Sequence, residues 1–140
     1  MKRHTSVPSD AAQLPQLTEF LQQFWSAAGL PPAEAITFEL ALEEIFMNVV
    51  MHGSPAGRVP RVEVSLALSD GSLTLMIEDD GPSFDPLSLQ APDVTASLEE
   101  RRVGGLGVYL VRQMMDSVSY QRLGEHNQLS MTKRVREPIQ

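Results

Sequence analysis

Between Val62 and Ile77, apolar residues take every second position on both sides of a Ser69-Asp70-Gly71-Ser72 turn. Val62, Val64, Leu66 and Leu68 alternate with Glu63, Ser65 and Ala67, and Leu73, Leu75 and Ile77 repeat the pattern after the turn. Such alternation predicts strands with one buried face, and the Asp-Gly turn predicts that they form a hairpin. A sheet with one apolar face must be covered.

The segments before the hairpin can supply that cover. Leu14, Leu17, Leu21, Phe24 and Trp25 recur at helical spacing, predicting a helix from about Ser9 to Ala28. Ser9 and Asp10 are candidate caps, Pro15 delays the true start, and Gly29 ends the segment. A second helix is expected from about Pro32 to His52. Its apolar side is read as Ile36, Leu40, Ile45, Val49 and Val50, broadened by Ala41, Leu42 and Phe46. Residues 1–8 are an edge strand or a loose arm.

Downstream, residues 82–103 carry three prolines and few apolar residues. They read as a long loop with one short helix near Val94–Arg101, the type of segment that often forms a functional lid. A helix from about Leu106 to Met115 follows, then strands at about Ser117–Gln121 and Gln128–Val135 around a Gly124–Asn127 turn. Helices alternating with hairpin-linked strands predict a two-layer α/β sandwich. The 140 residues fit one domain spanning the chain, which buries roughly 70% of the surface exposed by its unfolded form.

The absence of cysteine excludes disulfides, zinc-thiolate sites and cysteine nucleophiles. The basic start, Met1-Lys2-Arg3-His4, is followed by no apolar run of signal-peptide length, so the chain is expected to be soluble and cytoplasmic. A net charge of -7 argues against direct nucleic-acid binding. The charge is uneven: residues 1–100 hold four Lys/Arg against fifteen Asp/Glu, and residues 101–140 hold seven against three. The basic part begins at Arg101-Arg102, beside the glycine-rich turn, where it could meet polyphosphate or simply belong to a solvated last helix and strand.

Three groups of residues could carry chemistry. Glu44, Asn48 and His52 share one helix face. Asn48 offers a neutral oxygen suited to magnesium, and Glu44 a carboxylate able to take a proton from a hydroxyl. Spacing alone more simply describes a solvated acidic face. Asp79, at a strand end two residues before Gly81, could accept a hydrogen bond from the amine of adenine. An ordinary acidic turn fits equally well. Gly104-Gly105-Leu106-Gly107 opens a helix, where backbone N–H groups can face phosphate, or simply closes a flexible loop. The sequence lacks a P-loop Gly-Lys-Ser/Thr and a nucleophile-elbow motif, and His4, His52 and His126 have no metal spacing.

Taken in order, the three groups resemble a known superfamily. Residues Leu42 to Gly53 resemble the N box of the GHKL ATPases, which include gyrase, MutL and histidine-kinase ATP domains. Ile77 to Pro86 resembles the G1 box, and Gly104 to Val111 the G2 box. The Glu-x-x-x-Asn form and small size resemble the RsbW/SpoIIAB-type anti-sigma factor serine-protein kinases. The resemblance covers about residues 9–135. It implies a Bergerat ATP-binding fold: a mixed, mostly antiparallel sheet with helices on one face and an ATP lid at about 82–104. By matched position, Asn48 would bind Mg²⁺, Glu44 would be the catalytic base, and Asp79 would contact adenine. Gly81, Gly104, Gly105, Leu106 and Gly107 would shape the nucleotide site, with Arg101 or Arg102 near the terminal phosphate.

The implied activity is ATP-dependent phosphorylation of a STAS-domain antagonist on serine, alternating with capture of a sigma factor. The implied assembly is a homodimer, with neither nucleic acid nor membrane as a direct partner. A non-catalytic nucleotide-binding switch and a detached histidine-kinase-like ATP domain are the alternatives. The family often begins its last strand with Gly-Thr near the adenine site. Asn127-Gln128 stands there instead, and the sequence assigns it no contact.

Overall fold

The computed structural model describes residues 1–52, 57–88 and 106–135. Strand β1 (Lys2–Pro8) leads through a 3₁₀ turn at Ala11–Gln13 into α1 (Leu14–Ala28) and α2 (Pro32–His52). Strands β2 (Arg61–Ser69) and β3 (Ser72–Asp79) form the hairpin, and a second 3₁₀ turn lies at Pro86–Ser88. Helix α3 (Leu106–Met114) then precedes β4 (Ser117–Leu123) and β5 (His126–Arg134). The strands make one sheet in the order β1-β2-β3-β5-β4, with every neighbouring pair antiparallel. The α/β sandwich is therefore as expected, and residues 1–8 are an edge strand rather than a loose arm.

The hairpin follows directly from its turn. Asp70 and Gly71 both adopt positive φ, 52° and 78°. A two-residue turn of that kind matches the right-handed twist of the strands it joins. The register pairs Val62 with Asp79 and Leu66 with Leu75, so one phase of each strand points at the helices. Val62, Val64, Leu66, Leu73, Leu75, Ile77, Leu129 and Met131 are buried there with residues of α1, α2 and α3.

The first helix begins later than its spacing predicts. Asp10 caps the 3₁₀ turn, its Oδ1 accepting from the Ala12 N–H at 3.0 Å. The α-helix starts only at Leu14, with Pro15 in its first turn, where a missing N–H costs nothing. Gly29 closes α1 at φ 68°, and the Trp25 indole N–H donates to the Pro31 carbonyl at 2.8 Å. This fixes the corner from which α2 departs.

Helix α2 has the expected bounds but a different buried stripe. Phe38, Ala41, Leu42, Ile45, Phe46 and Val49 face the core, whereas Ile36 is 68% exposed. The helix is apolar on more than one side near its start. Phe38 wins the inward position by continuing the phase of Leu42 and Ile45 and by packing on Trp25, with ring centroids 5.6 Å apart. The expected short helix at 94–101 lies outside the described residues. Among those described, no helix is long and apolar enough to cross a membrane.

Phe46, on α2, is fully buried in the core. Phe46→Ala is expected to lower unfolding free energy by about 3–5 kcal/mol, read from urea denaturation. A wild-type midpoint would show that the layer contact is dispensable.

Candidate functional site

Helix α2 turns Glu44 and Asn48 to one side of its buried stripe, where both are half-buried. The Asn48 side-chain NH₂ donates to the Glu44 carbonyl one turn back at 2.7 Å. That bond fixes the amide and leaves its Oδ1 as the presented atom. Burial pushes the Glu44 carboxyl above its ordinary value, and the adjacent Glu43 charge pushes it the same way. Gly107, in the first turn of α3, lies directly against this carboxyl. A Cβ at position 107 would collide with Glu44 Oε2 and lie 2.9 Å from its Cγ. A side chain at 107 would oblige the Glu44 carboxyl to shift, and this contact joins two of the three sequence groups in space. Leu106 opens α3, while Arg101, Arg102, Gly104 and Gly105 lie outside the described residues.

The third group sits at the end of β3. Asp79 shares the inward phase of Leu73, Leu75 and Ile77 and is only 5% exposed. Its Oδ1 accepts from the Gly81 N–H at 2.9 Å and from the Asn127 side-chain NH₂ at 3.0 Å. Among the described residues Oδ2 accepts no hydrogen bond. Asp79 lines a crevice with Ile45, Val49, Ile77, Phe84, Pro86 and Leu129. Only ≈ 10 Å³ of it is free, about the space for one water. Phe84 also stacks on His52, the last residue of α2, at 5.1 Å.

Asp80 turns outward and has a separate task. Burial alone would raise its carboxyl. The Arg61 N–H at 2.9 Å and the Arg58 guanidinium at 3.2 Å outweigh that and hold it below the ordinary carboxylate range. Arg58 also donates to the Asp80 carbonyl at 2.7 Å, so the chain leaving β3 is pinned on its outer side.

Sequence reasoning left Asn127 unassigned and did not single out Tyr120, Arg122 or Phe84. Asn127 pairs directly with Asp79 across β3 and β5. Tyr120 donates to Asn127 Oδ1 at 2.6 Å, and Arg122 donates to the Gly81 carbonyl at 2.8 Å. A signal was present: Asn127 shares the phase of Leu129 and Met131, so period two alone places an amide on the buried face.

Residues 7–133 match the histidine kinase-like ATPase domain family. The chain is 31% identical over 96 residues to the serine/threonine-protein kinase BtrW of Bordetella bronchiseptica, covering 69% of this chain and 68% of that one. It is 31% identical over 101 residues to the serine-protein kinase RsbW of Bacillus licheniformis, covering 68% of this chain and 61% of that protein's length. Against RsbW of Staphylococcus aureus strain MRSA252 it is 26% identical over 94% of this chain and 85% of that one. A crystal structure of the RsbU and RsbW domains of Rv1364c from Mycobacterium tuberculosis matches all of this chain and 33% of that one, with TM-score 0.71 at 14% identity. That last likeness is one of fold. The chain belongs to the histidine kinase-like ATPase family, as an RsbW-type kinase of the GHKL class.

The raised Glu44 carboxyl has a consequence for stability. An unfolded glutamate titrates near about 4.3, and the folded one holds its proton to higher pH. Its contribution is therefore complete below about pH 4 and is lost as pH rises through the folded value. Glu44→Gln lacks that loss and is expected to gain stability over wild type between about pH 4 and 7. Urea midpoints of both proteins at the two pH values test this, and a pH-independent difference would contradict it.

Proposed function

We propose that this chain is an ATP-dependent serine-protein kinase acting on a STAS-domain anti-sigma factor antagonist, and that it also holds a sigma factor inactive. The observation that carries the reading is the contact between Gly107 and the Glu44 carboxyl. It sets a proton-accepting group against the first turn of the helix that follows the glycine-rich segment. Asp79 lies in the apolar crevice and has one carboxylate oxygen with no hydrogen bond among the described residues, a suitable acceptor for the adenine amine.

Asn48 Oδ1 is the atom for Mg²⁺. Its single neutral oxygen suits an ion that keeps several waters and takes its other ligands from phosphates. When bound, the ion neutralises charge on those phosphates. Glu44 accepts the proton of the partner's serine hydroxyl as that oxygen bonds to the terminal phosphorus of ATP and ADP departs. The upward push on the Glu44 carboxyl makes it a stronger base than an exposed glutamate.

Residues 82–104 form the lid in this reading, and Arg101 or Arg102 reaches the terminal phosphate beside Gly104 and Gly105. The chain works as one domain in the cytoplasm and as a homodimer, without direct contact to nucleic acid or membrane. Phosphoserine on the antagonist places charge in its interface and weakens its hold, which frees this protein for the sigma factor.

Radiolabelled ATP with purified candidate STAS-domain proteins tests the reading. Glu44→Ala is expected to keep nucleotide affinity and lose phosphotransfer by about 10²–10⁴-fold. Unchanged transfer would remove Glu44 from the base role. Asn48→Ala is expected to weaken Mg-ATP binding by about tenfold or more, and unchanged affinity would exclude it as the ligand. Acid-stable phosphate on the partner supports serine transfer, and acid-labile phosphate favours a histidine-kinase-like domain. Nucleotide binding without any transfer favours a non-catalytic switch.

A further inference from the structure

From His4 to Gly57 the chain holds no Lys or Arg, against six Asp or Glu. Helices α1 and α2 lie within that stretch and carry five glutamates between them. Opposite charges one turn apart stabilise a solvated helix, and this pair forgoes them. An open groove of ≈ 480 Å³ lies where the end of α1 meets the start of α2. Trp25, Leu30, Pro32 and Ala35 give it an apolar lining, and Gln22, Ser26 and Glu39 a polar one. Ile36, next to Ala35, is 68% exposed. The Gln22 side-chain NH₂ donates to Glu39 across the two helices at 3.5 Å. A second depression shares Gln22 and Ser26 and continues along α1 to Glu19.

The end of α1 adds charge of the same sign. Its last carbonyls carry partial negative charge, and its last turn has no basic residue. The Trp25 and Ser26 carbonyls accept from the Leu30 and Gly29 N–H groups. Pro31 and Pro32 have no N–H to offer the Ala27 and Ala28 carbonyls. At the start of α2, by contrast, Glu34 stands in the first turn and answers the positive end of that helix. The groove thus joins apolar surface to negative charge that α1 and α2 do not offset with Lys or Arg. Such a field repels nucleic acid and anionic lipid. A polypeptide segment with an apolar residue flanked by Lys or Arg complements both properties.

We propose that the groove between α1 and α2 is a docking site for a basic segment of another protein. An aliphatic or aromatic side chain of that segment rests on Trp25, Leu30 and Ala35, and its flanking cations meet Glu39, Glu19 and the carbonyl end of α1. Glu39 and Glu44 are five residues apart on α2, which turns them about 140° from each other around the helix. Docking therefore needs neither nucleotide nor phosphotransfer.

Trp25 is the only tryptophan in the chain, and its indole N–H bonds to the Pro31 carbonyl at the same corner. Its indole N–H resonance therefore reports the groove in a titration of ¹⁵N-labelled protein. The probe is the tryptophan-free peptide Arg-Lys-Ser-Leu-Phe-Ser-Lys-Arg. It is expected to move the resonance saturably, and replacing its Leu-Phe by Ser-Ser should weaken binding by about tenfold or more. Glu39→Lys should weaken it by about tenfold, whereas Glu125→Lys, the same charge change on the β4–β5 turn, should leave it near wild type. If Glu39→Lys does not fold, Glu39→Gln removes the charge, keeps an oxygen for Gln22, and should weaken binding by about fivefold. An unmoved resonance overturns the proposal, as does equal weakening by the folded Glu39 variant and Glu125→Lys. An equal response to spermine shows a site for any polycation and overturns the apolar anchor. A Trp25 shift produced by raising the protein concentration alone, with dimer mass in sedimentation, makes a second copy the occupant and overturns the partner assignment.

Discussion

Burial of a single sheet face governs where every functional group on the strands can stand. Inward positions are buried under α1, α2 and α3, and outward positions are not. Asp79 and Asn127 both occupy the inward phase, where an uncompensated polar group costs several kcal/mol. They tolerate that position because they face each other across β3 and β5 and bond directly. The same parity turns Asp80 outward to Arg58. Two adjacent aspartates thus meet opposite environments through one step of the strand.

The helical layer applies a different constraint to the same site. Helix α2 buries Phe38, Leu42, Ile45, Phe46 and Val49, and that packing fixes its rotation. Glu44 and Asn48 follow from the rotation and fall beside the buried stripe. Half-burial then raises the Glu44 carboxyl, so reactivity is obtained at some expense in stability. Gly107 completes the arrangement because any side chain there would displace the carboxyl.

Much of this was legible in the sequence where local chemistry decides. The Asp70-Gly71 turn specified the hairpin, and alternation specified its buried face. The bounds of α2 and the shared face of Glu44 and Asn48 followed from helical spacing. Legibility failed where several phases were apolar, as with Ile36 and Phe38, and only the fit of Phe38 on Trp25 decided. It failed again where a contact spans distant segments. The Asp79–Asn127 bond joins residues 48 apart, and the lining of the crevice draws on α2, β3, β4 and β5 together. Asn127 was visible as an inward polar residue. Its bonds to Asp79 and Tyr120 became visible only with the sheet order.

Strand β1 lies at a sheet edge and, among the described residues, pairs only with β2, Lys2 opposite Ala67 and Pro8 opposite Arg61. Strand β1 is made before β2 and therefore waits for its partner until ~60 further residues have been added. At about 5–20 residues per second that is a wait of about 3–12 s. Throughout it, Val7, later buried, stands on an open strand. Lys2 and Arg3 on the same strand carry charge of the kind that deters edge-to-edge association. The same basic residues thus oppose edge pairing both before β2 is made and after the sheet has formed.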